Sequence, residues 1–388
     1  MKLNHWLNTN EEKLILLRRY LHQYPEVGFK EFNTSAYLHQ LLTDAGYSIT
    51  QTPEMKTGFV CDFGAGKGPT LGIRCDLDAL LMSDAKTVPY ASKNEGVMHA
   101  CGHDVHMSIV AGLALWVREY RPEIPGTIRF IFQPAEEQAP GGAQAMMRSG
   151  LIDDIDHIIG LHMLPRLDAG KIAIRTGPMS AAVELVDITL KGEGGHTSRP
   201  HETTDLISVM AQTIIALDEA ISREVDHRSP VVLSFGKVLG GHTFNVIPDE
   251  VNLQGTLRFL DPDLKDKLHK VINDVIVHIG SMFGADISYQ IPYFAPGIVN
   301  DEFLTKLVSD SVISTLGDDA LVELKQASMG GEDFAYYLEK IPGTYFRVGC
   351  SDGVTKDVHT VHFDVNEKCI PTAIRVLDEV INKYFSLT

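Results

Sequence analysis

The sequence predicts an α/β protein of two domains, in which a split domain with a largely parallel sheet carries a smaller inserted domain. In the first and last parts of the chain, short apolar runs alternate with helical stretches. The middle part changes to the order βαββαβ, which is typical of a ferredoxin-like unit. The 388 residues are enough for two cores. We expect the split domain at 1–180 and 292–388, and the inserted domain at 181–291.

The first part opens with two predicted helices within residues 11–46, separated by Tyr24–Glu26. A further helix is predicted at Val105–Tyr120, where apolar residues recur at helical spacing. Apolar runs bounded by polar or glycine-containing segments predict strands at Gly58–Asp62, Leu71–Arg74, Thr127–Phe132 and His157–His162.

The middle part contains alternating or apolar strand patterns and two helical ones. Strands are predicted at Val183–Lys191, Val231–Leu239, Val251–Phe259 and Ile287–Ile291. Helices are predicted at Thr204–Ser222 and Asp263–Phe283. The α/β rhythm then resumes with a helix, a strand and a final helix, at residues 301–316, Thr344–Gly349 and Glu367–Phe385.

Composition and charge exclude several classes of protein. The net charge of −17 argues against a nucleic-acid partner, since phosphate binding needs clustered Lys and Arg. No apolar run approaches the roughly 20 residues of a membrane span, and the N-terminus does not resemble a secretory signal. The five widely spaced cysteines do not form a disulfide pattern. We therefore expect a soluble, cytoplasmic protein that binds neither membranes nor nucleic acid.

The segment Met98–His106 concentrates three His, one Cys and one Asp in nine residues. Thiolate and imidazole are ligands suited to zinc and related ions. In an extended segment, Cys101 and His103 would point the same way and could face one ion, with Gly102 allowing close approach. The alternative is a His-rich loop around a buried structural cysteine.

Acidic and His residues follow other predicted strands, where ligands gather in open α/β sheets. Glu136 and Glu137 come directly after Thr127–Phe132; one could bind a metal while the other addresses a water, or both could simply start a helix. His162 ends its strand and could equally be structural. Asp76 and Asp78 could orient ligand His residues or form a turn. Near the last helix, His362 could be a distant ligand, while His359 is interpreted as a structural or rim residue.

These residues belong to motifs that, in order and spacing, span nearly the whole chain. Together they resemble the aminoacylase, hippurate hydrolase and auxin-conjugate amidohydrolase group of two-metal peptidases. The motifs are His22–Glu26, Asp76–Leu80, His99–Asp104, Pro134–Glu137, Gly194–Ser198, Asn245–Pro248, Gly255–Arg258 and Gly331–Phe334.

The resemblance implies an enzyme that hydrolyses the amide bond of small N-acyl (N-acetyl or N-aroyl) amino acids with two divalent metal ions. The ions would be zinc or manganese, with nickel or cobalt possible. It implies that the inserted domain is a lid that also forms a homodimer. The implied metal ligands are Cys101, His103, Glu137, His162 and His362. Glu136 would be the general base, and the lid would supply His196 to catalysis and Asn245 and Arg258 to substrate binding. Gly331, in the second part of the split domain, is a further candidate for substrate binding.

Two other functions remain open, and one segment departs from the family pattern. A di- or aminopeptidase could use the same centre, and a non-catalytic protein could use the fold to bind a metal or ligand. After Asp78–Leu80 the family usually shows Pro, an aliphatic residue and soon a Glu, whereas this chain has Leu81–Asp84. We expect this segment near the edge of the site, where it would affect substrate preference.

Overall fold

The computed structural model describes residues 2–64, 66–121, 124–354 and 356–387. Its α-helices are α1 (Lys2–Gln23), α2 (Phe32–Asp44), α3 (His103–Tyr120), α4 (Gly142–Arg148), α5 (Leu206–Glu224), α6 (Lys265–Phe283), α7 (Glu302–Leu316), α8 (Ala335–Leu338) and α9 (Cys369–Leu387). Its strands are β1 (Ile49–Thr50), β2 (Phe59–Gly64), β3 (Thr70–Asp76), β4 (Thr127–Gln133), β5 (His157–Asp168), β6 (Ile172–Ile174), β7 (Gly177–Pro178), β8 (Ala182–Lys191), β9 (Gly195–His196), β10 (Val231–Gly240), β11 (Val246–Ile247), β12 (Glu250–Phe259), β13 (Asp286–Ala295), β14 (Val299–Asn300), β15 (Leu321–Glu323) and β16 (Gly343–Ser351).

The chain forms two compact units. The first unit comprises residues 1–179, 299–326 and 333–388, and the second unit comprises 180–298 and 327–332. The second unit runs past the expected end at residue 291, because β13 continues to Ala295 and pairs with β8 as far as Val183. It also takes in the short segment 327–332, which sequence patterns do not mark.

The first unit is built on an eight-stranded mixed sheet in the order β1-β2-β4-β3-β5-β16-β6-β15. The central pairs β4–β3, β3–β5 and β5–β16 are parallel, as is the edge pair β6–β15. The α/β class with a largely parallel sheet is thus as predicted. The carboxyl ends of β3 and β4 meet, with Asp76 in register with Gln133.

Burial explains the main elements of the first unit. Every residue of β3 is buried, as expected for a central parallel strand covered on both faces. Helix α3 is buried almost all round. Helix α1 begins at Lys2, earlier than predicted, because Trp6 and Leu7 pack into the core. Even so, no helix within the described residues combines the length and apolar character needed to cross a membrane.

The second unit has the predicted ferredoxin-like order. Its four-stranded antiparallel sheet runs β10-β12-β8-β13, so the first and last strands of the unit are neighbours. Alternate residues of β8, including Val186, Ile188 and Leu190, are buried in the core that α5 and α6 complete. The residues between them are half-buried and more polar, which leaves the opposite face of the sheet polar.

Candidate metal centre

Cys101 and His103 stand at the beginning of α3 instead of in an extended segment. Gly102 adopts a left-handed φ of 94° and turns the chain into the helix. A Cβ atom at this position would lie 2.9 Å from Cγ of Met163, so the turn requires glycine. Cys101 and His103 still reach a common point, because their donor atoms and that of His162 lie within 4.8 Å of one another.

His103 is held with one ring nitrogen occupied and the other directed at the acidic residues of the site. Its Nδ1 lies 2.9 Å from the carbonyl oxygen of Asp78 and 3.2 Å from the Oδ1 atom of the same residue. Its Nε2 is buried and makes no hydrogen bond. If Nδ1 donates to Asp78, Nε2 carries a free lone pair, which is the arrangement of a metal-binding imidazole.

Glu136 and Glu137 follow β4 and approach His103. The Glu137 amide donates to Oδ2 of Asp78 at 2.9 Å, so Asp78 orients both His103 and the acidic pair. Glu136 Oε2 and Glu137 Oε1 each lie 3.9 Å from His103 Nε2. The chain reaches this position through Ala135, which has a positive φ of 51°.

Cys101 lies between two imidazoles. Its Sγ is 3.1 Å from Nε2 of His162 and 3.3 Å from Nε2 of His359. Burial raises the pKa of the Cys101 thiol well above its usual value, and the charges of Glu137 and Glu136 raise it further. Burial also lowers the pKa of His162, which keeps this ring neutral. A cation would be needed to hold Cys101 as a thiolate here.

The structure places His359 where the sequence analysis expects His362. His359 Nε2 also lies 3.2 Å from Oε1 of Glu137. The donor atoms of His359, Cys101 and Glu137 all lie within 4.8 Å of one another. Both His359 and His362 are exposed, but His362 belongs to none of the metal-capable groups of the described residues. His359 has a left-handed φ of 59°, and its amide donates to the carbonyl of Ala100. The geometry therefore favours His359 over His362 as a candidate ligand.

The donors form two groups that share one sulfur atom. One group contains Cys101, His103 and His162, and the other contains Cys101, Glu137 and His359. Sulfur, imidazole nitrogen and carboxylate oxygen together suit zinc and related ions.

The charge of the site also favours a cation. Burial alone lowers the pKa of His103, but Asp76, Asp78 and Glu137 outweigh it and raise the pKa to about 10. These carboxylates therefore favour a positive charge beside them. A metal ion bound to Nε2 of His103, which makes no hydrogen bond, could supply that charge. The residues present fit the two metal ions that the sequence resemblance implies.

The departing segment Leu81–Asp84 is turned partly inward. Leu81 is exposed, but the side chain of Asp84 is only 2% exposed and pairs with Nε2 of His22 at 3.3 Å and with Lys86 at 2.9 Å. His22 Nδ1 in turn lies 2.7 Å from Oδ2 of Asp104, next to His103 in the chain. Asp84 therefore supports the base of α3.

The lid residues named by the resemblance lie in the second unit. His196 of β9 pairs with Val246 of β11, and the Thr197 amide donates to the carbonyl of Asn245. His196 Nδ1 accepts from the Ser198 amide at 3.1 Å, which leaves the ring proton on Nε2. Arg258 of β12 donates from Nη1 to the carbonyl of Met329 at 2.7 Å. A Cβ at Gly331 would lie 3.0 Å from Val183.

The family assignment follows from comparison with known proteins. The model of peptidase family M20/M25/M40 matches residues 72–383, which is most of the chain. The chain belongs to this family. It is therefore a metal-dependent hydrolase of linear amides, as the sequence analysis expects.

Individual relatives cover almost the full length of the chain. An N-acetyl-L-cysteine deacetylase of Bacillus subtilis is 39% identical over 96% of this chain and 88% of its own. The IAA-amino acid hydrolase ILR1-like 4 of Arabidopsis thaliana is 34% identical over 96% of this chain and 85% of its own. The crystal structure of the Bacillus subtilis YXEP protein, a dinuclear metal-binding peptidase of the M20 family, has a TM-score of 0.86 and 31% identity, covering 98% of this chain and 100% of that one.

Proposed function

We propose that the protein hydrolyses the amide bond of small N-acyl amino acids, with N-acetyl or N-aroyl groups as the acyl part. The observation that carries the proposal is the place of Glu136, whose Oε2 lies 3.9 Å from the orphaned Nε2 of His103, beside the candidate ligand Glu137. A carboxylate so close to candidate metal ligands could accept the proton of a water that attacks the amide. The deacetylase and the IAA-amino acid hydrolase support the substrate class.

The centre would hold two divalent ions, zinc or manganese, with nickel or cobalt as alternatives. Cys101 and His103 with His162 would hold one ion, and Cys101 with Glu137 and His359 would hold the other. A bound ion of this kind lowers the pKa of its water toward about 7 and so makes hydroxide available at neutral pH.

The protein side chains then have distinct tasks. Glu136 takes the proton of the attacking water and passes it to the amine nitrogen as the carbon–nitrogen bond breaks. His196 donates from Nε2, the nitrogen that its contact with Ser198 leaves protonated, to the oxygen that gains negative charge. Arg258 pairs with the free carboxylate of the substrate. Asn245 and Gly331 complete the substrate-binding set.

A substrate panel tests the proposal. The metal-free protein is reconstituted with zinc or with manganese and assayed on N-acetyl amino acids, N-benzoyl amino acids and free dipeptides. We expect hydrolysis of the acylated amino acids and little hydrolysis of dipeptides with a free amine. Faster cleavage of the free dipeptides would contradict the proposal and support a peptidase activity like that of the YXEP protein, an M20-family peptidase.

A homodimer formed by the second unit is part of the same proposal. Strand β10 is an edge of its sheet and exposes Val232, Val238 and Leu239, an apolar edge of the kind that invites pairing with another chain. Light scattering should give the mass of a dimer, and Val238→Lys should shift it toward the monomer; a monomeric wild-type protein would contradict the proposal.

The five cysteines are all free and buried, which fits the proposed cytoplasmic location.

A further inference from the structure

Strands β3 and β5 separate just before the metal centre. Their parallel pairing begins at Leu71 and His157 and ends at Ile73 and Ile159, while β3 continues to Asp76 and β5 continues past His162. Backbone groups beyond the last pair need other partners, because buried amides left without a hydrogen bond cost free energy. A side chain from α3 supplies one of them.

His106 bridges the separated strand ends. It is fully buried, and its Nδ1 lies 2.6 Å from Oδ1 of Asp76, the last residue of β3. Its Nε2 accepts a hydrogen bond from the Met163 amide of β5 at 3.1 Å. An imidazole nitrogen that accepts from an amide carries no proton, so the proton sits on Nδ1 and is donated to Asp76.

This pairing leaves His106 no lone pair for a metal. His106 does lie with Asp76 and His103 in a group whose spacing could hold an ion. Both of its ring nitrogens are nevertheless occupied, whereas Nε2 of His103 makes no hydrogen bond. The two His residues of α3 thus differ in state although they are only one helical turn apart.

The far end of the bridge reaches a candidate ligand through the backbone of Met163. The Met163 carbonyl lies 2.7 Å from Nδ1 of His162 and is placed to accept from it. That contact directs His162 Nε2 toward Cys101, at 3.1 Å from Sγ. Met163 therefore connects the two histidines: its amide donates to His106, and its carbonyl accepts from His162.

The near end of the bridge is anchored by a buried guanidinium. Arg74 donates to Oδ2 of Asp76 at 2.7 Å and to Oδ1 of Asp333 at 2.8 Å. Asp76 is therefore held from both sides, by Arg74 and by His106, and has little freedom to move. A bridge with one fixed end can set the position of the other.

We propose that His106 is a positioning residue of the metal centre and not a ligand: it joins Asp76 to the Met163 amide and so holds His162 against Cys101. The proposal rests on the proposed function only in taking Cys101 and His162 as metal ligands. Loss of a residue that supports a ligand typically weakens metal binding by about 10- to 100-fold. His106 should show an effect of that size without loss of an ion at saturation.

Two substitutions separate the two ends of the bridge. The amide of Gln reaches about as far as Nε2 of His and can accept from Met163, whereas the amide of Asn reaches about as far as Nδ1 and can serve only Asp76. Affinity for cobalt is measured by competition with a chelator, and the thiolate-to-cobalt absorption band reports Cys101. His157→Gln is the matched control, since His157 starts the same strand and contacts Tyr384.

We expect His106→Ala to bind cobalt about 10- to 100-fold more weakly, with two ions still bound at saturation. His106→Gln should recover most of this loss, His106→Asn should not, and the control should match the wild type. Unchanged affinity in His106→Ala, loss of one ion at saturation, or recovery by Asn in place of Gln would each overturn the proposal. If the Ala variant does not fold, the comparison of Gln with Asn still decides.

These measurements need no substrate. A wild-type protein that binds two ions but hydrolyses no acylated amino acid would refute the proposed function and leave the role of His106 standing. Normal hydrolysis with unchanged cobalt affinity in His106→Ala would do the reverse.

Discussion

The metal centre of the first unit and the lid residues of the second unit are held in opposite ways. Asp78 and His103 are buried and joined to each other by side-chain and backbone contacts. His196 and Asn245 are exposed, and their side chains bond to residues only two positions away. Buried polar networks fix one geometry, while exposed loops can adjust to a ligand. We therefore expect changes in the first unit to alter metal binding or chemistry, and changes in the second to alter substrate handling.

The largest expected effect comes from Glu136→Gln. Removal of a general base should lower kcat by about 10²- to 10⁴-fold while the metal content stays at the wild-type value, because the Gln keeps the shape of the side chain. Turnover is measured together with elemental analysis. Glu339→Gln, an exposed change in the same unit, is the control and should keep full activity. Wild-type turnover in Glu136→Gln would remove its role as base.

Replacement of His359 or of His362 by Ala tests which of the two binds metal. Loss of a residue that only supports a ligand weakens metal binding by about 10- to 100-fold. His359→Ala should weaken metal binding at least that much, since Nε2 of His359 lies beside Cys101 and Glu137. His362→Ala should bind metal like the wild type, because His362 lies outside the donor groups of the described residues. Calorimetric titration with zinc distinguishes them, and the opposite order would return the ligand position to His362.

A smaller effect, confined to substrate binding, is expected for Arg258→Ala. Charge-assisted hydrogen bonds contribute about 1.5–3 kcal/mol, so KM for acyl amino acids should rise about 10- to 100-fold with metal content unchanged. Arg228→Ala is the matched control, because Arg228 is exposed and pairs with Asp226. An equal loss on substrates whose carboxyl group is amidated would count against the proposed pairing.

The smallest effect on turnover is expected for Glu31→Gln, which should change stability instead. Burial raises the pKa of Glu31 to about 7, although its Oε1 accepts from the Ala135 amide at 2.8 Å. The folded state thus binds this proton more tightly than the unfolded chain does, and stability is lost as pH rises from about 4.5 through 7. The Glu31→Gln variant should not show this loss, and above pH 7 its free energy of unfolding should exceed that of the wild type by about 1–3 kcal/mol.

Urea unfolding between pH 5 and pH 9 measures this difference, with the exposed Glu54→Gln as control. A gap between Glu31→Gln and the wild type that does not widen with pH would contradict the assignment. The result would also show how much stability the protein loses by burying Glu31, which supports the turn that carries Glu136.

Much of the fold could be predicted because periodicity reports burial directly. The apolar run of β3 and the alternation of β8 mark one strand buried on both faces and one buried on a single face. The three-residue strands β6 and β15 at the sheet edge are too short to leave a pattern. The start of α3 was missed for a related reason, because the left-handed turn at Gly102 precedes the apolar stripe of the helix.

The site was predictable where its residues adjoin regular elements. Cys101, His103, Glu137 and His162 adjoin α3, β4 and β5, and the structure brings them together. His359 lies in a turn whose left-handed φ has no signature in a non-glycine residue, so sequence alone could not choose between it and His362. The bridge through His106 depends on where two strands diverge, which no local pattern records.

We expect side chains of the first unit, from the buried Cys101, His103 and His162 to the exposed His359, to hold two metal ions, with Cys101 shared between them. Anomalous diffraction from crystals grown with manganese or zinc tests it most directly. We predict two peaks, one beside His103 and His162 and one beside Glu137 and His359, with the Cys101 sulfur next to both. A single peak, or a peak bound by His106 or His362, would contradict it.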